Sequence, residues 1–248
     1  MTLDYSIHKN IQLQILKEIY SDTTLAPHLG FKGGTAALMF YDLDRKSVDL
    51  DFDLLVPSEV EGLDESKPFD PAQDKEKKVF EKILKIAQDY GEIRESRIKH
   101  FNLIVILSYD PKAQNIKIEV NRRKFGSRYE LRTLLGISML VMVKEDMFAN
   151  KLMAMYERVG KTSRDVFDVY FFTKNNWPIN KEIVEKRAEI PFKKVLERCI
   201  GLLEKMNNRN ILVGLGEFLT ESQKDWARAK LREETIFLLK ARLESSPR

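Results

Sequence analysis

Three aspartates, Asp49, Asp51 and Asp53, stand on alternate positions, separated by Leu50 and Phe52. In a strand this spacing puts the acids on one face and the apolar residues on the other. Like charges crowded on one strand face repel each other and weaken the strand. A divalent cation is the obvious compensation. A hard ion such as Mg²⁺ takes carboxylate oxygens and completes its shell with substrate phosphates. Upstream lies Gly33-Gly34-Thr35. Adjacent glycines let the backbone turn sharply and approach a ligand. N–H groups at such a turn, or at the start of a following helix, bind anions, and Thr35 adds a hydroxyl donor. A phosphate cradle joined to an acidic metal strand is equipment for moving a nucleotide's phosphoryl group. An EF-hand is excluded: counted from Asp49, its glycine and glutamate positions hold Leu54 and Val60. The G-x-x-x-x-G-K-[ST] loop is absent. The competing reading is a solvated acidic edge strand after an ordinary turn.

These residues need elements to hold them. Ile7, Ile11, Ile15, Leu16 and Ile19 recur at helical spacing and predict an amphipathic helix over about 5–22. A short strand through Phe31 should enter the glycine turn, and a buried helix, Thr35 to Tyr41, should leave it. A polar connection, Asp42 to Ser47, then leads into the acidic strand, Val48 to Val56. Ser58 to Asp74, with two prolines and a glycine, reads as a long surface loop. A second amphipathic helix follows over about 75–90, with Val79, Ile83, Ile86 and Ala87 inward. Residues 100–109 and 115–120 read as two strands joined at Asp110-Pro111. In the latter, Ile116, Ile118 and Val120 share one face, and Lys117 and Glu119 the other.

Beyond about residue 130 the pattern turns helical, and 134–142 is expected to contain a short strand or turn before the next helix. Helix 144–159 carries an apolar stripe of Met147, Phe148, Leu152, Met155 and Tyr156, with Lys144, Lys151 and Arg158 close to one face. Thr162-Ser163 reads as an N-cap holding Asp165 in the first turn of the next helix, which ends at Asn175-Asn176-Trp177-Pro178. Two or three further helices should fill 181–246, with Leu196, Ile200, Leu203 and Met206 on one apolar face and Ile236, Leu239 and Leu243 on another.

Two sets of motifs together resemble the AbiEii-type toxin nucleotidyltransferases, within the polymerase-beta-like nucleotidyltransferase superfamily. The first is Lys32-Gly33-Gly34-Thr35 followed by Arg45-x-Ser47-x-Asp49-x-Asp51-Phe52; fourteen residues separate Gly34 from Asp49, slightly longer than the usual spacer. The second is the K-L-x-A-x-x-x-R segment Lys151 to Arg158, followed by R-D-x-[FY]-D at Arg164 to Asp168. The resemblance covers about 30–170. It implies an α+β fold in which a nucleotidyltransferase-type mixed sheet with flanking helices (1–130) precedes a C-terminal helical bundle domain (131–248). The helical domain would contribute its Lys and Asp motifs to the cleft.

The same resemblance assigns roles. Asp49, Asp51 and a third carboxylate from a neighbouring strand, Glu119, would hold Mg²⁺ or Mn²⁺. Gly33, Gly34, Thr35, Arg45, Ser47 and Lys151 would bind the nucleoside triphosphate, and Asp165 would orient or activate the acceptor. Asp168, Arg158, Arg164 and Asp53 rank lower. The implied protein is the toxin of a type IV-like toxin–antitoxin or abortive-infection (phage-defence) system. It would transfer NMP from an NTP to an acceptor, with tRNA as the expected one, and be silenced by a cognate antitoxin. Small-molecule nucleotidylation of the antibiotic-modifying type, and a catalytically silent nucleic-acid-binding module, are the alternatives.

Bulk properties are compatible with this. A formal charge of +4 and a 32% charged content make any nucleic-acid footprint a local patch such as Asn121-Arg122-Arg123-Lys124, with Arg128 and Arg132 nearby. One cysteine, Cys199, excludes an internal disulfide framework, and three scattered histidines suggest neither a zinc cluster nor a triad. The N-terminus lacks a signal-peptide core and no apolar run approaches spanning length, so a cytoplasmic protein with no membrane association is expected.

Overall fold

The computed structural model describes residues 5–55 and 71–244. Contacts divide the chain into two compact units. The first gathers the described parts of Met1–Phe40, Val48–Arg123 and Tyr129–Val141; the second takes Tyr41–Ser47, Lys124–Arg128 and Met142–Arg248. This division differs from a single cut at residue 130, because each unit borrows short segments from across that point.

The first unit is built on a seven-stranded mixed sheet of order β3-β4-β5-β2-β1-β7-β6. Its strands are β1 (Leu29–Lys32), β2 (Leu50–Leu54), β3 (Glu92–Ile98), β4 (Asn102–Ser108), β5 (Ile116–Asn121), β6 (Tyr129–Leu134) and β7 (Ile137–Met142). β2 runs antiparallel to β1 and parallel to β5. Alternation gives the sheet two different faces. Leu50, Phe52, Leu103, Val105, Leu107, Ile116, Ile118 and Val120 are buried and, by register, share one face. Helices α1 (Tyr5–Ser21) and α3 (Pro71–Gln88) cover that face, with Ile15, Leu16, Ile19, Val79, Ile83 and Ala87 buried. Tyr20 of α1 meets Phe52 of β2 at 6.4 Å between ring centroids. The opposite face carries Lys32, Asp51, Asp53, Lys117 and Glu119. Between β1 and β2 lies α2 (Gly33–Tyr41).

The expected helices and central strands are present, with shifted ends. The acidic strand is shorter than the expected Val48 to Val56, so Asp49 lies just before β2. The first four residues of α3 overlap the end of the expected surface loop, of which 56–70 lies outside the described residues. Two strands escaped the sequence reading, β3 and β6. They stand at the two ends of the sheet order and alternate only weakly in burial. β6 and β7 form a hairpin over the two-residue turn Leu135-Gly136, both with positive φ (50° and 78°).

The second unit is helical. α4 (Lys144–Arg158) packs against α5 (Arg164–Lys174), α6 (Lys181–Ala188) and α7 (Phe192–Lys205). α9 (Arg232–Glu244) packs against α5 and α7, and α8 (Glu221–Trp226) continues through a π-helical turn, Ala227–Leu231, into α9. The core of this unit includes Phe148, Leu152, Met155, Phe172, Leu196, Cys199, Ile200 and Leu203. Trp177 stacks on Phe172 with centroids 4.0 Å apart. No helix among the described residues is long and apolar enough to cross a membrane.

Candidate active site

In the first unit, the register of the sheet brings Asp51 directly opposite Glu119, on adjacent parallel strands and the same polar face. Neighbouring strands run about 4.8 Å apart, so the two side chains leave the sheet side by side. Lys32 stands opposite Asp51 on the other flank. Gly33 makes this geometry possible. Its φ is +81°, and a Cβ built there would stand 2.5 Å from Asp51 Oδ2. The glycine therefore supplies a left-handed turn and lets the backbone press against the carboxylate.

Thr35 departs from its expected ligand-facing role. It is fully buried, and its hydroxyl donates to the Asp49 carbonyl, clipping the start of α2 to the entry of β2. Asp53 also has a structural assignment. Its carboxylate takes the Lys32 ammonium on one oxygen and the Tyr129 hydroxyl on the other. The Tyr129 ring lies over Gly30, where a Cβ would fall 2.3 Å from the ring. Asp53 thus holds Tyr129, the first residue of β6, in place over Gly30 of β1.

Glu119 accepts from Asn102 Nδ2 on one oxygen and from Lys117 Nζ on the other, the latter at 2.6 Å. Burial opposes the Lys117 charge, yet Asp51, Asp49 and Glu119 together outweigh it and raise the ammonium's pKa. The repulsion among the acids is therefore met in part by two lysines, Lys32 and Lys117. Among the described residues no three carboxylate, imidazole or thiolate side chains already converge as a cation cage. The donor set nonetheless suits a hard divalent ion: oxygen ligands only, with Asp51 and Glu119 neighbours across one strand pair.

In the second unit the helical motifs converge on one ion cluster. Arg45 grips Asp168 with both arms of its fork, Nε to Oδ1 at 2.6 Å and Nη2 to Oδ2 at 2.8 Å. Lys151 Nζ bridges the two aspartates, 2.8 Å from Asp168 and 3.2 Å from Asp165. Arg158 Nη2 closes on Asp165 at 2.7 Å. Asp165 and Asp168 are buried, whereas the Lys151 side chain keeps 16% of its surface and Arg158 keeps 50%. Burial would raise the Asp168 carboxyl, but Arg45 and Lys151 outweigh it and hold it down to about 2. For Lys151, burial likewise opposes the charge and Asp168 and Asp165 prevail, raising its pKa. Three cations and two carboxylates leave a positive excess at the exposed end, where Lys151 and Arg158 lie.

This geometry revises several details. Arg45, expected to hold nucleotide, has its guanidinium buried on Asp168 and on the Lys46 carbonyl. Ser47 is buried too. Ser163 starts α5 without a side-chain cap: its hydroxyl donates to the Asn210 carbonyl instead. Arg164 lies over the Phe218 ring at 5.2 Å. The basic loop is largely committed as well. Arg122 pairs with Glu76, Arg128 with Glu145 and Asp146, and Arg132 with Glu130.

Comparison with solved structures finds the same fold. A candidate nucleotidyltransferase from Helicobacter pylori superposes with a TM-score of 0.57 at 18% identity, covering 100% of both chains. JHP933, also from Helicobacter pylori, gives 0.53 at 17% identity, covering 98% of this chain and 95% of its own. No curated protein matches the sequence significantly. The family of AbiEii nucleotidyl transferase toxins, of type IV toxin–antitoxin systems, matches residues 14–234. The chain belongs to that family and is a nucleotidyltransferase.

Proposed function

We propose that this protein transfers a nucleoside monophosphate from an NTP to a hydroxyl of an RNA acceptor, of the tRNA class, as a toxin held silent by a cognate antitoxin in the cytoplasm. The observation that carries the reading is the Asp51–Glu119 pair across β2 and β5, with the Gly33 backbone pressed against Asp51. Asp49, Asp51 and Glu119 would hold Mg²⁺ or Mn²⁺, which offsets charge on the triphosphate when bound. The N–H groups of Gly33 and Gly34, at the start of α2, would take phosphate oxygens. The acceptor oxygen bonds to the α-phosphorus as the bond to the bridging oxygen breaks, and pyrophosphate leaves. Lys151, with Arg158 at the exposed end of its cluster, would bind the triphosphate. Asp165, fixed by both cations, would accept a hydrogen bond from the acceptor hydroxyl.

Incubation of the protein with each labelled NTP, Mg²⁺ and total tRNA tests this directly. Label on tRNA is the expected result. Label only on a small acceptor would make the enzyme a small-molecule nucleotidyltransferase, and RNA binding without transfer would make it a silent module. Asp49→Ala should abolish transfer while the thermal transition persists.

A further inference from the structure

The expectation that a cation must sit among the acids of the sheet is partly met by a side chain. Lys117 precedes Glu119 by two residues on β5 and points to the same face. The parallel register sets Ile118 opposite Leu50, so Lys117 stands level with Asp49 just as Glu119 stands level with Asp51. Its ammonium lies 2.6 Å from Glu119 Oε2 and within electrostatic reach of Asp51 and Asp49. Asn102 takes the other Glu119 oxygen. All three proposed metal ligands therefore share one resident monovalent cation, and Glu119 cannot turn both oxygens to a metal without leaving Lys117 or Asn102.

We propose that Lys117 is a positioning residue that tunes the metal site: it weakens binding of the free divalent ion and favours binding of the ion together with a triphosphate. The inference rests on the metal reading of Asp49, Asp51 and Glu119. The reason is charge balance. Three carboxylates alone carry three negative charges, attract a free divalent ion strongly, and leave a net negative site when it binds. With Lys117 the loaded site is neutral, so an incoming polyanion meets no repulsion, while a free ion must first compete with the ammonium for Glu119. Both effects fall with distance and with solvent screening, and Lys117 keeps 33% of its surface. The expected changes are consequently moderate, about tenfold in each affinity.

The test is Mn²⁺ binding followed by electron paramagnetic resonance, with Mn²⁺ alone and with a non-hydrolysable NTP analogue. Lys117→Met should bind free Mn²⁺ about tenfold more tightly and the Mn²⁺–analogue complex about tenfold less tightly than the parent, a reversal in preference that loss of structure would not produce. Lys117→Arg should keep the parental order. If Lys117→Met fails to fold, Lys117→Gln carries the same expectation. Equal affinities in parent and variants overturn the proposal. Asp51→Asn distinguishes the two failures: if it abolishes Mn²⁺ binding while Lys117→Met changes nothing, the metal site stands and the role of Lys117 falls. If Asp51→Asn binds Mn²⁺ like the parent, the metal assignment itself is wrong.

Discussion

At Gly33 a side chain is excluded twice, by a φ of +81° and by Asp51 Oδ2 standing 2.5 Å from where a Cβ would be. Left-handed backbone alone costs a non-glycine residue about 1–2 kcal/mol, and the collision must also move Asp51. Gly33→Ala should therefore lower the thermal midpoint modestly and weaken Mn²⁺ binding far more than stability. Equal losses in both would show that the glycine serves folding only. Tyr129 offers a cleaner contrast. Tyr129→Phe removes the hydroxyl that reaches Asp53 and leaves the ring over Gly30. A loss of about 1–3 kcal/mol in urea unfolding is expected from the bond and the newly unsatisfied carboxylate oxygen, with transfer activity retained. Loss of activity at unchanged stability would return Asp53 to the chemistry. The resemblance ranks Asp53 below the other acids because it lies beyond the motif. Its hydroxyl partner stands 76 residues away, and no local spacing announces it.

Among elements, α4 and α5 are joined by charge as well as by apolar packing. Asp168 is fully buried between Arg45 and Lys151, and removing one member of a buried ion pair costs about 3–5 kcal/mol because the others stay desolvated. Asp168→Asn should show a loss of that order in denaturant unfolding. The pH dependence has a definite direction. The carboxyl's value falls from 3.8 to about 2 on folding, so its contribution is complete above about pH 4 and disappears as pH drops toward 2. The parent should lose stability across that window, and Asp168→Asn should lose much less; identical acid profiles would contradict the buried pairing. The same scale shows why some elements were legible. α1 and β5 announce themselves because one face of each is buried and apolar at the proper period. β3 and β6 end the sheet, carry charged residues and bury little, which blunts edge pairing and also erases the alternation a reader looks for. Lys117 was visible only as the polar face of β5; its partnership with Asp49 and Asp51 exists only once register is known.

For the whole molecule, the two units are stitched from alternating pieces of chain. β7 pairs with β1, so a fragment ending at residue 130 lacks the strand that completes the sheet beside Phe31. A fragment starting at residue 131 lacks Arg45, the bidentate partner of Asp168. Neither fragment should give a cooperative thermal transition in circular dichroism, and co-expression of the two should restore one. A fragment 1–130 that melts cooperatively by itself would show that β6 and β7 are dispensable. The sequence suggested a cut near 130 because the long helical pattern begins soon after. The borrowed segments are too short to carry a periodicity of their own.

Arg45, Ser47, Asp49 and Asp51 occupy seven consecutive residues, yet the first two belong to the helical unit and the last two to the sheet. A single genetic crossover cannot exchange one whole unit for a relative's: a junction just after residue 141 keeps the β1–β7 pairing but leaves Arg45 behind, parted from its own Asp168. Lineages carrying this architecture should consequently diversify by substitution and by growth of surface connections, and inherit both units as one block rather than as interchangeable modules.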